Sequence, residues 1–109
     1  MKEDSPDFNS TYNKAGSSSV GRVESVNSWK DNHKSLPAYG KPNSVTQKKY
    51  KDGNLITERY YNENGEAYLD IDYTNHGNPK THPVVPHQHA WKKDKSGNLS
   101  RKDWEKIPK

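Results

Sequence analysis

The chain has 109 residues, of which only 27% are apolar, and it has no cysteine. That length permits one small domain with a thin core, and the lack of cysteine excludes disulfides and thiolate metal sites. The net charge of +4 arises after residue 40, because residues 1–40 hold five Lys/Arg and five Asp/Glu whereas residues 41–109 hold thirteen and nine. The second part is therefore the better candidate for binding an anion such as RNA, although solubility alone also explains such an excess.

The hydropathy of the sequence predicts a protein that neither spans nor binds a membrane. No apolar run reaches the length of a membrane span, and the polar start MKEDSPDFNS has no apolar signal-peptide core. We therefore expect a cytoplasmic location, with delivery by fusion to or carriage by another protein as the other route. Nothing in the sequence indicates the oligomeric state.

Residues 1–40 are predicted to be a polar lead that is flexible or partly helical. Residues 1 to about 20 are rich in Ser, Asn and Gly, a composition too poor in apolar residues to fold alone. Val20, Val23, Val26 and Trp29 then recur at roughly helical spacing, which predicts a short helix over residues 20–34. The prolines and glycine of SLPAYGKP would end it.

Residues 41–109 are predicted to form a small β-rich domain. Two alternating segments, SVTQKKYK and NLITERYY, flank the turn Asp52-Gly53 and predict a hairpin. A second turn, NENG, leads into EAYLDIDYT, where alternation puts Leu69 and Ile71 on one face and Asp70 and Asp72 on the other. The carboxylates are expected to face water or a site.

After Thr74 the sequence predicts an ordered loop with a strand fragment at most, followed by a last hairpin. The loop prediction rests on three prolines and a glycine in NHGNPKTHPVVPHQHAW. The hairpin prediction rests on the turn residues SGN between two polar arms. The predicted fold class is α+β, with the short N-terminal part packed on a three- to four-stranded antiparallel β-meander.

Four histidines, His76, His82, His87 and His89, lie within fourteen residues. Imidazole can give and take a proton near neutral pH, so two of them can serve as general base and general acid on the 2′-hydroxyl of RNA. A cation such as Arg59 or Lys80 would stabilise the charged phosphorane. This hypothesis needs no metal and no other cofactor.

Two alternatives remain open for the same histidines. His87 and His89 point to the same side of an extended segment, and Asp70, Asp72 or His76 would complete a zinc or manganese site. The second alternative is structural: the histidines pack and form hydrogen bonds beside prolines and Trp91. Similarly, the tyrosines are either base-stacking platforms or core, and the surface lysines either contact phosphate or are solvated.

The run RYYNENGEAYLDIDYTNHGNPKTHPVVPHQHAW resembles the C-terminal nuclease-type toxin domain of bacterial polymorphic toxins and of some phage or prophage head-associated proteins. The resemblance covers about residues 40–104, through YGKPNS, the RYY and ENG pieces, DIDYT-x-HGNPK and HP-x-VPH-x-H-x-W. It implies a nuclease, more loosely similar to the barnase, colicin and RelE group, and an acidic immunity protein as partner. The motif positions are Asp70, Asp72, His76, Lys80, His82, His87 and His89.

The sequence thus predicts a small metal-independent ribonuclease whose partners are RNA and an immunity protein. The candidate catalytic residues are His76, His82, His87, His89, Lys80 and Arg59. The candidate substrate-binding residues are Asp70, Asp72, Tyr61 and Lys92. The competing hypotheses are a phage structural or protein-interaction module without catalysis and a His/Asp metal-dependent nuclease.

Overall fold

A computed structural model describes residues 20–31, 34–74 and 85–107. Within these ranges the chain forms one six-stranded sheet with the strand order β1-β2-β3-β4-β5-β6. β1 pairs with β2 in parallel, and every later pair is antiparallel. The described ranges contain no helix that could cross a membrane. The strands are β1 Ser25–Ser28, β2 Ser44–Lys49, β3 Leu55–Tyr61, β4 Ala67–Asp72, β5 His87–Lys93 and β6 Leu99–Lys106.

The predicted α+β class is wrong, because the described residues are all-β. Where a helix was expected over residues 20–34, Ser25–Ser28 instead form a strand whose backbone pairs with β2. Ser, Val and Asn have low helix propensity, so pairing with the edge of β2 wins over a short isolated helix. Val20 and Val23 lie against the sheet's apolar core rather than on a helix face.

The sheet also has more strands than the three or four expected. HQHAWKK and LSRKDWEK each form a full strand, so β5 and β6 extend the meander. The proline run that argued against a strand ends at Pro86, and β5 begins at the next residue. Seven residues without proline are enough to pair with a neighbour on both sides.

The turns between strands lie where the sequence predicts them. Gly53, Gly65 and Gly97 have φ values of 92°, 76° and 85°, a left-handed conformation that glycine adopts without a Cβ clash. Gly65 also needs to be glycine for lack of space, since a Cβ there would lie 2.5 Å from the Gly40 carbonyl oxygen. The Gly40 amide donates to the Gly65 carbonyl at 2.9 Å, so this turn fixes residues 38–40 against the sheet.

The two faces of the sheet differ in chemistry. On the apolar face, Val45, Tyr60, Leu69 and Ile71 form a buried cluster, against which Val20, Val23, Tyr68, Tyr73 and Ile107 pack. Alternation along the same strands places the charged face on the other side, with the buried side chains Thr57, Arg59, Asp70, Asp72, His87 and His89. The candidate site therefore lies on the charged face.

Candidate functional site

The site is built by the pairing of β4 with β5. In that register Asp70 lies opposite His89 and Asp72 lies opposite His87. Paired residues point to the same face of an antiparallel sheet, so two carboxylates and two imidazoles are brought together. His87 and His89 thus stand on β5, which pairs with a neighbour on both sides, and not on the loop that the sequence predicts.

Asp72 is the centre of the cluster. Its Oδ1 accepts a hydrogen bond from Thr57 Oγ1 at 2.9 Å, and its Oδ2 accepts one from Arg101 Nη2 at 2.6 Å. The Nε2 atoms of His87 and His89 lie 3.3 Å and 3.1 Å from the same Oδ2. One carboxylate oxygen therefore faces a guanidinium and two imidazoles.

Each imidazole is held in a defined orientation. His89 Nδ1 lies 2.7 Å from the Lys102 carbonyl oxygen. A carbonyl can only accept a hydrogen bond, so Nδ1 carries the hydrogen and Nε2 is the nitrogen that binds a proton or a cation. His87 packs edge-on against His89, with ring centroids 5.1 Å apart, and against Trp104 at 5.6 Å.

Asp70 and Arg59 form a forked ion pair beside this centre. Arg59 Nε and Nη2 donate to the two Asp70 oxygens at 2.7 Å and 2.8 Å, and Arg101 Nε lies 2.9 Å from Asp70 Oδ2. Arg59 Nη1 donates to the Leu36 carbonyl, and its guanidinium carbon lies 4.6 Å from the centre of the Trp91 ring. The two guanidiniums balance the charge of the two carboxylates, so the net charge of the cluster depends on how many of the two imidazoles are protonated.

Solvent reaches the cluster from the side of β6. Asp70, Asp72 and His87 have no exposed surface, whereas 34% of the Arg101 side chain is exposed. Trp91 and Trp104 are half-buried on the same side. Arg101 is therefore the cluster member best placed to meet a ligand first.

The ten predicted site residues fall into three groups: five that the structure brings together, two others that it describes, and three outside the described residues. The structure brings together Arg59, Asp70, Asp72, His87 and His89. Tyr61 donates its hydroxyl hydrogen to the Pro37 carbonyl at 2.6 Å, and burial raises the pKa of that hydroxyl. Lys92 is exposed on β5, and His76, Lys80 and His82 lie outside the described residues.

Sequence reasoning missed two members of the site, Thr57 and Arg101. Both are found by continuing the predicted hairpins in register. Thr57 lies opposite Asp72 in the β3–β4 pair, and Arg101 lies opposite Trp91 in the β5–β6 pair. The sequence signal that could have located them is the pair of turn glycines, Gly65 and Gly97, because a turn sets the register of its hairpin.

Comparison with known proteins assigns no family to the chain. No protein-family model matches it, and neither the curated proteins nor the solved structures include a match. The function is therefore inferred from Asp72, the two histidines and the charges around them.

Proposed function

We propose that this chain is a small ribonuclease in which His87 and His89 exchange protons with RNA. The observation that carries this proposal is the convergence of both Nε2 atoms on one buried Asp72 oxygen, at 3.3 Å and 3.1 Å, beside two guanidiniums. A carboxylate next to an imidazole orients the ring for proton transfer. The cluster thus has the groups that general acid and base catalysis needs.

Because His87 is fully buried and His89 nearly so, the proposed reaction requires the partly exposed Arg101 to turn outward and admit the RNA. One neutral imidazole then removes the proton from a ribose 2′-hydroxyl. The 2′-oxygen forms a bond to phosphorus while the bond from phosphorus to the 5′-oxygen breaks. The other imidazole, protonated, gives its proton to that leaving oxygen. The products are a 2′,3′-cyclic phosphate and a free 5′-hydroxyl, and no metal takes part.

Arg101 is proposed to bind the phosphate. It is the partly exposed guanidinium of the cluster, and guanidinium matches the geometry of phosphate oxygens. Arg59 acts as a positioning residue, because its fork to Asp70 fixes the carboxylate that also contacts Arg101. The half-buried Trp91 and Trp104 offer ring surface beside this entry for a base to stack on.

We further propose that the domain is of the nuclease-toxin type and has an acidic immunity protein as partner. Support comes from four of the seven motif positions, Asp70, Asp72, His87 and His89, which lie in the same cluster. The other three motif positions lie outside the described residues. The excess of basic residues after residue 40 favours an acidic partner surface.

The direct test is cleavage of total RNA by the purified, untagged chain in excess EDTA. We expect wild-type protein to produce fragments that end in cyclic phosphate. His87→Gln and His89→Gln should each lower the rate by about 100-fold or more, the usual contribution of a general acid or base. Lys95→Ala, in the exposed turn before Gly97, is the control and should cleave like wild type.

Circular dichroism must show that each variant keeps its sheet. Intact RNA with folded wild-type protein, with and without added metal, would contradict the proposal and favour a protein-interaction module. Cleavage that requires added metal would contradict the proton-exchange mechanism and favour a metal-dependent nuclease.

A further inference from the structure

We infer that Asp72, His87 and His89 form a binding site for a divalent transition-metal ion, with Zn²⁺ as the ion that the ligands fit best. One ligand atom from each residue lies within 4.8 Å of the other two, and all three residues are buried. The inference concerns ion binding and stands whether or not the chain cleaves RNA.

The spacing of the ligand atoms fits a tetrahedral ion. Zinc binds imidazole nitrogen and carboxylate oxygen at about 2.0–2.2 Å, which places neighbouring ligand atoms about 3.3 Å apart. The distances from Asp72 Oδ2 to the Nε2 atoms of His87 and His89 are 3.3 Å and 3.1 Å. Two of the three ligand–ligand distances therefore match those around one shared ion, and all three ligand atoms lie within 4.8 Å of one another.

The groups behind the ligands are those expected around a metal site. His89 donates Nδ1–H to the Lys102 carbonyl, which directs the Nε2 lone pair towards Asp72. Thr57 donates to Asp72 Oδ1, which turns Oδ2 towards the imidazoles. All three ligands stand on the paired strands β4 and β5, so the chain holds them in place before an ion arrives.

The ligand types select among ions. Mg²⁺ and Ca²⁺ prefer six or more oxygen ligands, whereas two imidazoles and one carboxylate suit zinc and its neighbours in the first transition row. Three protein ligands also leave one tetrahedral position for water or another small ligand. We therefore expect binding of Zn²⁺ and Co²⁺ and weak or undetectable binding of Mg²⁺.

Arg101 competes with the ion for Asp72. Its Nη2 lies 2.6 Å from the same Oδ2, and a guanidinium next to a divalent cation is repelled by it. Because a third of its side chain is exposed, Arg101 can turn outward to solvent. Removing its charge should therefore tighten metal binding, an effect that adventitious binding at surface histidines would not show.

Metal binding has one consequence for the proposed ribonuclease. An ion on the Nε2 atoms of His87 and His89 occupies the lone pairs that a general base needs. Zinc should then inhibit RNA cleavage as it fills the site. This consequence rests on the proposed function, whereas the binding site does not.

The experiment is titration of the untagged, chelator-treated full chain with Zn²⁺ by calorimetry and with Co²⁺ by visible absorption. We expect one ion per chain. His89→Gln and Asp72→Asn should weaken binding by about 100-fold or more, since each removes a ligand and the loss of an outer-shell partner alone costs about 10–100-fold. Arg101→Gln should tighten it by about tenfold on electrostatic grounds. Asp103→Asn, an exposed acid on β6, is the matched control and should bind like wild type.

Three results would overturn the inference: no saturable binding by wild type, unchanged affinity in both ligand variants, or weaker binding in Arg101→Gln. If the ligand variants fail to fold, Arg101→Gln and the rise in wild-type unfolding temperature with zinc decide the question. Zinc binding as expected, by a wild-type chain that leaves RNA intact, would support the metal site and contradict the ribonuclease proposal alone.

Discussion

The two faces of β3 and β4 are built from alternate residues of the same strands, yet they stabilise the sheet in different ways. Tyr60, Leu69 and Ile71 on the apolar face remove surface from water, and each contributes according to its buried area. On the charged face, the folded sheet tolerates Arg59 and Asp70 only as a pair, because a buried charge without its partner is costly. The apolar face should lose stability gradually under substitution, and the charged face abruptly.

The largest effect is expected from Asp70→Ala on the charged face. This change removes the acceptor for two Arg59 hydrogen bonds at 2.7 Å and 2.8 Å and for the contact of Arg101 at 2.9 Å. It leaves a buried guanidinium unbalanced, which lowers the free energy of unfolding by about 3–5 kcal/mol. Urea unfolding followed by circular dichroism measures this loss.

A double variant separates the pair's net contribution from the cost of breaking it. Arg59→Met combined with Asp70→Leu replaces both charges by apolar side chains of similar size. We expect it to recover most of the stability lost in Asp70→Ala, because replacing a buried ion pair is often neutral. A double variant no more stable than Asp70→Ala would show that the pair stabilises the fold in its own right. Asp103→Ala, at an exposed acid, should change stability by less than about 0.5 kcal/mol.

A smaller effect is expected from Leu69→Ala on the apolar face. Leu69 is almost fully buried among Val45, Tyr60 and Ile71, so truncation leaves a cavity and lowers the free energy of unfolding by about 3 kcal/mol. The same urea titration measures it. RNA cleavage and zinc affinity should remain, since Leu69 points away from the charged face. If Leu69→Ala unfolds at the same urea concentration as wild type, Leu69 is not part of the apolar core.

The strand alternation and the turns could be predicted from the sequence because both are local. Asp52-Gly53 and the glycine at position 65 produce the left-handed backbone that such turns require, and period two separates Leu69 and Ile71 from Asp70 and Asp72. A turn fixes the register of a hairpin, so the β3–β4 contacts follow from the same signals.

The remaining features depend on contacts between distant residues. The spacing of Val20, Val23 and Val26 fits a helix, but the parallel pairing of β1 with β2 is a tertiary contact that no local pattern records. The meeting of Asp72 with His87 requires β5 to pair with β4 across residues 73–86. Whether these residues would bind RNA, a metal or each other could not be read from their types, because three hypotheses share the same imidazoles.

One residue breaks the division between the faces. Glu58 is a charged residue on the apolar face, and it is buried, with 1% of its surface exposed. It accepts hydrogen bonds from Gln47 Nε2 at 2.9 Å and from the Tyr73 hydroxyl at 2.5 Å, and a longer one from Tyr60 at 3.4 Å. The tyrosines on this face therefore serve a buried carboxylate as well as the apolar core.

The smallest of these effects is expected from Tyr73→Phe, which removes one hydroxyl donor from Glu58 and should lower the free energy of unfolding by about 2 kcal/mol at neutral pH.

Burial, followed by the nearby Glu58 charge, raises the pKa of Tyr73, and the same causes raise the pKa of Tyr60. Above about pH 10 the unfolded chain therefore loses tyrosine protons that the folded chain keeps, so stability falls as pH rises. Urea unfolding at a series of alkaline pH values should show a shallower fall in Tyr73→Phe, by one proton, and an unchanged fall in the exposed control Tyr50→Phe. Equal slopes in wild type and Tyr73→Phe would mean that Tyr73 ionises alike in both states, and the contact with Glu58 would then not stabilise the folded chain.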